Sequence, residues 1–213
     1  MKNYILIMLL LISSILTAQI KPTTYKLQEV SINKYSNYTS IYSKELKTSL
    51  YTITNIYKSY NSDNKSWIQP NYSLDLTNIL SVLVKDYSTI QLAPSTDYKT
   101  TEDLNNTYFL NNYLIINTIT NNKVWNPLVT SISKLSNKDS LLVITGAYDY
   151  KSCINGIGYP NKLFKIVKNL TKHTIIAYEI LNDGKSTNPQ VVDVYNLLAK
   201  LPLNYYLYSY ISK

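Results

Sequence analysis

Few side chains in this sequence can do acid, base or nucleophilic chemistry near neutral pH. His173 is the only histidine, Cys153 is the only cysteine, and no arginine occurs, so all 21 cationic side chains are lysine. Imidazole is the commonest general base, but His173 follows Lys172 at the start of a late apolar run, where an exposed or edge-strand residue without a catalytic role is expected. Cys153 excludes an internal disulfide; a free thiol, a small buried apolar residue and an intermolecular link are its readings. Asp86 and Asp97 bracket Gln91 and are read as a surface charge and a cap or turn residue.

Those residues need a scaffold, and composition bounds it. With 213 residues and 45% hydrophobic content the chain is long enough for one packed domain and too short for two comfortable ones. Charged residues make up only 16%, which excludes the high-charge, low-hydrophobicity class of disordered chains. The net charge of +8 favours polyanions such as nucleic acid. Lysine, however, offers a point charge and lacks the planar fork with which arginine grips phosphate.

The N-terminus reads as targeting sequence. Lys2 precedes an apolar run from Tyr4 to Leu16, and Thr17 and Ala18 supply small residues near a cleavage point, so residues 1–18 are assigned to a signal peptide. The run is shorter than the roughly 20 residues a spanning helix needs. Secretion, to the outside or to the secretory lumen, fits the glycosylation sequons at Asn37, Asn64, Asn71, Asn105 and Asn169, some of which are expected to be used.

Residues 19–41 are polar with little periodicity and read as an extended lead-in to a domain at 42–213. Ser49 to Tyr57 is β-branched and aromatic, a strand; Asn61 to Ser73 around Trp67 is loop composition. Further strands are expected at Tyr108 to Ile119, Ser140 to Thr145 (ending at Gly146), Leu163 to Val167 and Thr174 to Leu181, in one twisted, mainly antiparallel sheet. Val124, Trp125, Leu128, Val129, Ile132 and Leu135 recur at helical spacing, with Asn121 or Asn122 as cap and Pro127 in the first turn. Pro189 opens a last helix through Leu201. Strands and separate helices in this mixture define the α+β class.

One stretch is more specific than this order of elements. Gln91-Leu92-Ala93-Pro94-Ser95-Thr96-Asp97 is followed by Thr107-Tyr108-Phe109-Leu110-Asn111-Asn112, and Asn121 stands four residues before Trp125. This resembles the ββα-metal family of DNA/RNA non-specific endonucleases, in which an Asp-Arg-Gly-His tetrad leads into Leu-Ala-Pro, then a Thr-Phe-Tyr-Leu-Ser-Asn-like strand, then a metal-binding Asn four residues before a Trp. Val143-Ile144-Thr145-Gly146, Tyr159-Pro160 with Phe164-Lys165-Ile166-Val167, and Ala177-Tyr178 through Asn182 are similar to later family segments, and Tyr42 to Lys58 to its opening. The resemblance covers about Tyr42 to Tyr206.

It implies a ββα-metal fold with a central antiparallel sheet, a histidine general base, and a single divalent ion, commonly Mg²⁺, held through Asn121. The tetrad itself is absent: Ser88, Thr89, Ile90 and Gln91 stand on its positions, and Val129 stands where a supporting Glu is expected. A glutamine amide can orient water but cannot take its proton, and general-base help is typically worth about 10²–10⁴-fold. A neutral Asn121 without carboxylate support is a poor Mg²⁺ ligand, and capping explains it equally well. The leading expectation is a secreted pseudo-nuclease kept for binding, with nucleic acid as a partner of its Lys and Tyr surface. The alternatives are an active, divergent metal-dependent nuclease using Asp86 or Asp97, and a secreted glycoprotein that engages other proteins.

Overall fold

A computed structural model describes residues 29–57, 86–98 and 100–212. The expected signal peptide, the loop around Trp67 and the sequons at Asn64 and Asn71 lie outside the described residues.

Alternating side chains build the main sheet. Strands β1 (Val30–Lys34), β2 (Tyr38–Ser43), β3 (Thr48–Ile56), β6 (Leu141–Ile154), β7 (Ile157–Asn169), β8 (Thr174–Leu181) and β9 (Gln190–Val192) form one seven-stranded sheet in the order β1-β2-β3-β6-β7-β8-β9, antiparallel at each pairing. On β6 and β7 the period of two sends Leu142, Ile144, Phe164 and Ile166 to one face and Leu141, Val143, Leu163 and Val167 to the other. The sheet is therefore buried on both sides.

Short helices cover the first face: α4 (Val194–Leu198) and α5 (Asn204–Ile211) bring Val194, Leu197, Leu198, Leu207 and Ile211 onto Phe164 and Ile166. The second face carries a two-stranded antiparallel sheet, β4 (Tyr87–Gln91) with β5 (Tyr113–Asn117), and the helical stretch that follows β5. That stretch begins as α2 (Thr118–Thr120), widens to a π-turn at Asn121–Trp125, and continues as α3 (Asn126–Ser136). Val124, Trp125, Leu128 and Ile132 pack on Leu114, Ile116, Leu163 and Val167. A further short helix, α1 (Thr101–Asn106), sits between β4 and β5 and is capped by the Thr100 hydroxyl, which accepts from Asp103 N. The class is α+β, with a mainly antiparallel sheet and few helices.

Several expectations change. Residues 30–41, expected to belong to an extended lead-in, form β1 and most of β2 of the sheet, where the small hydroxyl of Ser40 is fully buried. The strand expected at Tyr108 to Ile119 is strand only at Tyr113–Asn117, and it pairs with β4 and not with the main sheet. The cap of the following helix is Asn117, whose Oδ1 accepts from the N–H groups of Ile119 and Thr120; Asn121 lies one turn inside. Gly146 does not end its strand. It faces Tyr51 across the ladder, and a Cβ there would fall 2.3 Å from the Leu50 carbonyl oxygen, so glycine is demanded by close approach of β3.

The helix expected from Pro189 starts only at Val194, capped by the Asp193 side chain, and α5 has no counterpart among the expected elements. The sequon asparagine Asn169 is 5% exposed: its Nδ2 donates to Asp139 and its Oδ1 accepts from Thr171 N and Lys172 N, so it is a structural residue unable to carry a glycan in this fold. Cys153 is exposed, not buried, near the tip of the β6–β7 hairpin. His173 is exposed in the β7–β8 turn with φ 55°. Among the described residues no helix is long and apolar enough to cross a membrane.

Candidate functional site

The two chain reversals after β4 and before β5 are sewn together by amides. Asn112, fully buried, accepts from Ala93 N (2.8 Å) and donates through Nδ2 to the carbonyls of Ala93 and Thr107 (both 2.8 Å), while Leu92 N donates to Asn112 O at 2.9 Å. Gln91 does the same on the outer side. Its Nε2 donates to Thr107 O (3.1 Å), Thr107 Oγ1 (3.4 Å) and the Tyr113 hydroxyl (3.1 Å), and its Oε1 accepts from Ser95 N at 3.2 Å. Both ends of the Gln91 amide are thus engaged in holding the loop. Asn112 is legible in the sequence only as part of a motif, and its role comes from the loop it closes.

These loops, the end of β4 and the π-turn wall a cleft of about 450 Å³. Gln91 and Asn121 are both in its wall. Hydroxyls of Thr89, Ser95 and Thr96, the rings of Tyr108, Tyr113 and Trp125, the amide of Asn126 and the side chain of Val129 complete most of the lining. Ser88 instead points to the helix start, 3.0 Å from Thr118 Oγ1, and Ile90 is 6% exposed, shared between cleft and core. Asn121 opens the π-turn, and its Oδ1 is buried with no hydrogen-bond partner among the described residues. Such an orphaned acceptor costs about 1–3 kcal/mol, and widened helical turns of this kind often sit at functional sites.

The lining carries no carboxylate, imidazole or thiol among the described residues. Asp86 is exposed at the far end of β4, its carbonyl accepting from Thr118 N, and Asp97 sits in a 3₁₀ turn (Ser95–Asp97) that faces a small secondary cavity behind the cleft. His173 is in the β7–β8 turn, off the cleft. Among the described residues no group of three His, Cys, Asp or Glu side chains comes together. A lone amide oxygen amid hydroxyls does not fit Mg²⁺, which favours carboxylate and phosphate oxygens in near-octahedral array.

One charged group in this region escapes sequence reasoning. Lys165 is 2% exposed, its Nζ donating to Thr145 Oγ1 at 2.9 Å and lying 4.5 Å from the centre of the Trp125 ring. Burial pushes its amine down to about 7, against the opposing pull of Asp97. The signal is present in the pattern: strand alternation puts Lys165 between Leu163 and Val167 on the face beneath α3.

Comparison with known proteins supplies the class of fold and stops there. No family model matches the chain and no curated protein matches it. A chain of the solved structure described as the EndoG/EndoGI complex, on the mechanism of EndoG inhibition, superposes with a TM-score of 0.65 at 14% identity, covering 84% of this chain and 87% of that one. The protein is thus an α+β chain that shares the fold of one component of that complex. At this identity the likeness speaks for the fold alone.

Proposed function

We propose that this chain is a secreted, nuclease-like protein that has lost hydrolysis and keeps its scaffold for binding, with nucleic acid as its partner. The observation that carries the reading is the state of Gln91. The residue that stands where the resemblance calls for the general base is an amide whose donor and acceptor both serve the loop between β4 and β5. It cannot take a proton near neutral pH, and both ends of its amide are already bonded within the protein. The reading is supported by the pairing of β4 with β5 and the helical α2–α3 stretch that follows β5, and by Val129, which continues the apolar stripe where a carboxylate would support a metal. Lysines on the surface, with a net charge of +8, supply the attraction to phosphate. Among the described sequons, exposed Asn105 is the glycan acceptor this fold favours; Asn37 already spends its Nδ2 on the Asp103 carbonyl.

The test is a binding titration of the secreted chain with labelled DNA and RNA across a salt series. Binding that falls steeply with salt, and leaves the nucleic acid intact in the complex, supports the reading. No binding at any salt overturns it. Installing the missing groups together, as Ser88→Asp, Thr89→Arg, Ile90→Gly, Gln91→His and Val129→Glu, is expected to bring slight metal-dependent cleavage, whereas Gln91→His alone restores little. A second reading, a protein-binding surface, is favoured by Tyr195 and Tyr205, which are 56% and 70% exposed on the helices of the opposite face. Tyr205→Asp lowering capture of a protein partner, with nucleic-acid binding unchanged, would favour it.

A further inference from the structure

Open aromatic rings and lysines come together on the α4–α5 face, away from the cleft. Tyr205 and Tyr195, 70% and 56% exposed, are the two most exposed aromatic side chains among the described residues. Half-buried Tyr208 joins them: its ring lies within 14° of parallel to that of Tyr195, with centroids 6.3 Å apart, and it stands one helical turn beyond Tyr205 on α5. The three rings thus form one surface carried by both helices. Lysines border it. Lys200, 49% exposed in its side chain, follows α4, and Lys168 donates through Nζ to Ile211 O at 2.9 Å, at the end of α5. Each ammonium has N–H groups left over. The carboxylates beside them are already engaged, Glu179 by Lys162 and the Tyr148 hydroxyl, Asp193 by Asn196 N at the start of α4. The cleft offers the reverse: none of its described lining residues is a lysine, and its Tyr108 and Tyr113 are half-buried.

On the reading that the partner is nucleic acid, we infer that a single strand of DNA or RNA lies across the α4–α5 face, with bases stacked on Tyr195 and Tyr205 and phosphates against Lys168 and Lys200. A lysine border favours a polyanion. Open ring faces favour a polyanion whose own planar groups are free to stack, and a single strand meets both conditions. In a duplex each base has its faces covered by its neighbours, so it would have to leave the stack to reach a tyrosine. Single strands are therefore preferred over duplex. Every base has a π-face, so the rings accept any sequence.

The experiment titrates the purified full chain into fluorescein-labelled oligothymidylate and into its duplex with oligoadenylate, with an abasic oligomer of the same length as competitor. The single strand should bind at least about tenfold more tightly than the duplex, and the abasic oligomer should compete about tenfold less well than unlabelled oligothymidylate. Tyr205→Ala and Tyr195→Ala should each weaken the single strand about fivefold or more without changing the salt dependence, whereas Tyr205→Phe, which keeps the ring, should bind like wild type. Lys200→Gln should instead flatten the slope of log affinity against log salt by about 0.7, the loss of one phosphate contact. An unchanged melting temperature of Tyr205→Ala shows that the fold is kept. Binding by the wild type that neither tyrosine substitution weakens, or an abasic oligomer that competes as well as oligothymidylate, would overturn the inference and leave the proposed function standing as phosphate-led binding. Weakening by Tyr108→Ala alone would move the strand to the cleft and also overturn it. Loss of a protein partner in Tyr205→Ala with oligothymidylate binding unchanged would give the rings to a protein. Absence of all nucleic-acid binding by the wild type would overturn both this inference and the proposed function beneath it.

Discussion

The cleft and the α4–α5 face of the main sheet treat polar groups in opposite ways. On the α4–α5 face, charge is kept and paired. Glu179, 9% exposed in its side chain, accepts from the Tyr148 hydroxyl, bonds Lys162 at 2.8 Å and reaches Lys200 at 3.5 Å. Burial alone would raise its carboxyl, but the hydrogen bonds from Lys162 and Tyr148 and the two lysine charges hold it below the ordinary range. On the cleft face, the polar groups at the walls are neutral, Gln91 and Asn112 being spent on loop closure. Beneath the cleft wall lies buried Lys165, with a hydroxyl for partner. A site for hydrolysis needs charge where the substrate reacts. In this molecule paired charge lies away from the cleft: the Glu179 cluster ties β7, β8 and the end of α4 together, and buried Asp139, past the end of α3, is bridged by Lys172 at 2.9 Å.

Breaking the cleft face at its packed centre should have the largest effect. Trp125 is 2% exposed beneath the cleft wall and over Lys165, and Trp125→Ala is expected to destabilise by about 3–5 kcal/mol, read by chemical denaturation. Lys165→Met should act in the opposite direction. Because the folded amine titrates at about 7 and the unfolded one near 10.5, the unfolded chain binds more protons between those values. Wild-type stability should therefore fall as pH drops from about 10.5 to 7 and level off below. The Met variant should lack this slope and gain on the order of a few kcal/mol at neutral pH; a wild-type and variant difference that is flat from pH 7 to 10 would mean that the amine stays charged in the fold.

On the opposite face, Glu179→Gln should cost about 1–3 kcal/mol, reduced from a fully buried pair because Lys162 and Lys200 are partly in water. The contribution of this carboxylate is present above its unfolded pKa and is lost as pH falls through its lower folded value. The acid limb of the stability curve should thus differ between wild type and variant. The smallest effect is expected at Gln91→Ala, about 1–2 kcal/mol for the lost loop bonds, with no change in hydrolysis of nucleic acid. A loss of cleavage in that variant would give Gln91 a chemical role.

The same contrast explains what is legible in the sequence. From Gln91 to Asn112 the motif can be read but the loop cannot: Tyr108 to Asn112, expected as strand, is turn and 3₁₀ closed by the Asn112 side chain. Strand alternation also carries through β3, β7 and β8. Ser40 reads as polar lead-in because a hydroxyl small enough to be buried looks the same in sequence as a solvated one. The helix start is misplaced because the neighbouring residues from Asn117 to Asn121 include several competent caps, and the choice is made at long range, by Asn182 Oδ1 accepting from Asn117 N and Thr120 Oγ1 accepting from Gly184 N. Gly146 looks like a strand end, but its cause is the approach of Tyr51. The orphaned Asn121 Oδ1 has no sequence signal, since it depends on a widened turn that no residue type announces.

The central proposal, that this chain does not hydrolyse phosphodiesters, is tested most directly by incubating the purified chain with plasmid DNA and with RNA in Mg²⁺ or Mn²⁺ at neutral pH. Both substrates should remain intact over times at which the variant carrying the restored tetrad together with Val129→Glu begins to nick them. Metal-dependent cleavage by the unmodified chain, abolished by Asp86→Ala or Asp97→Ala, would contradict the account and move the active site to carboxylates outside the cleft described.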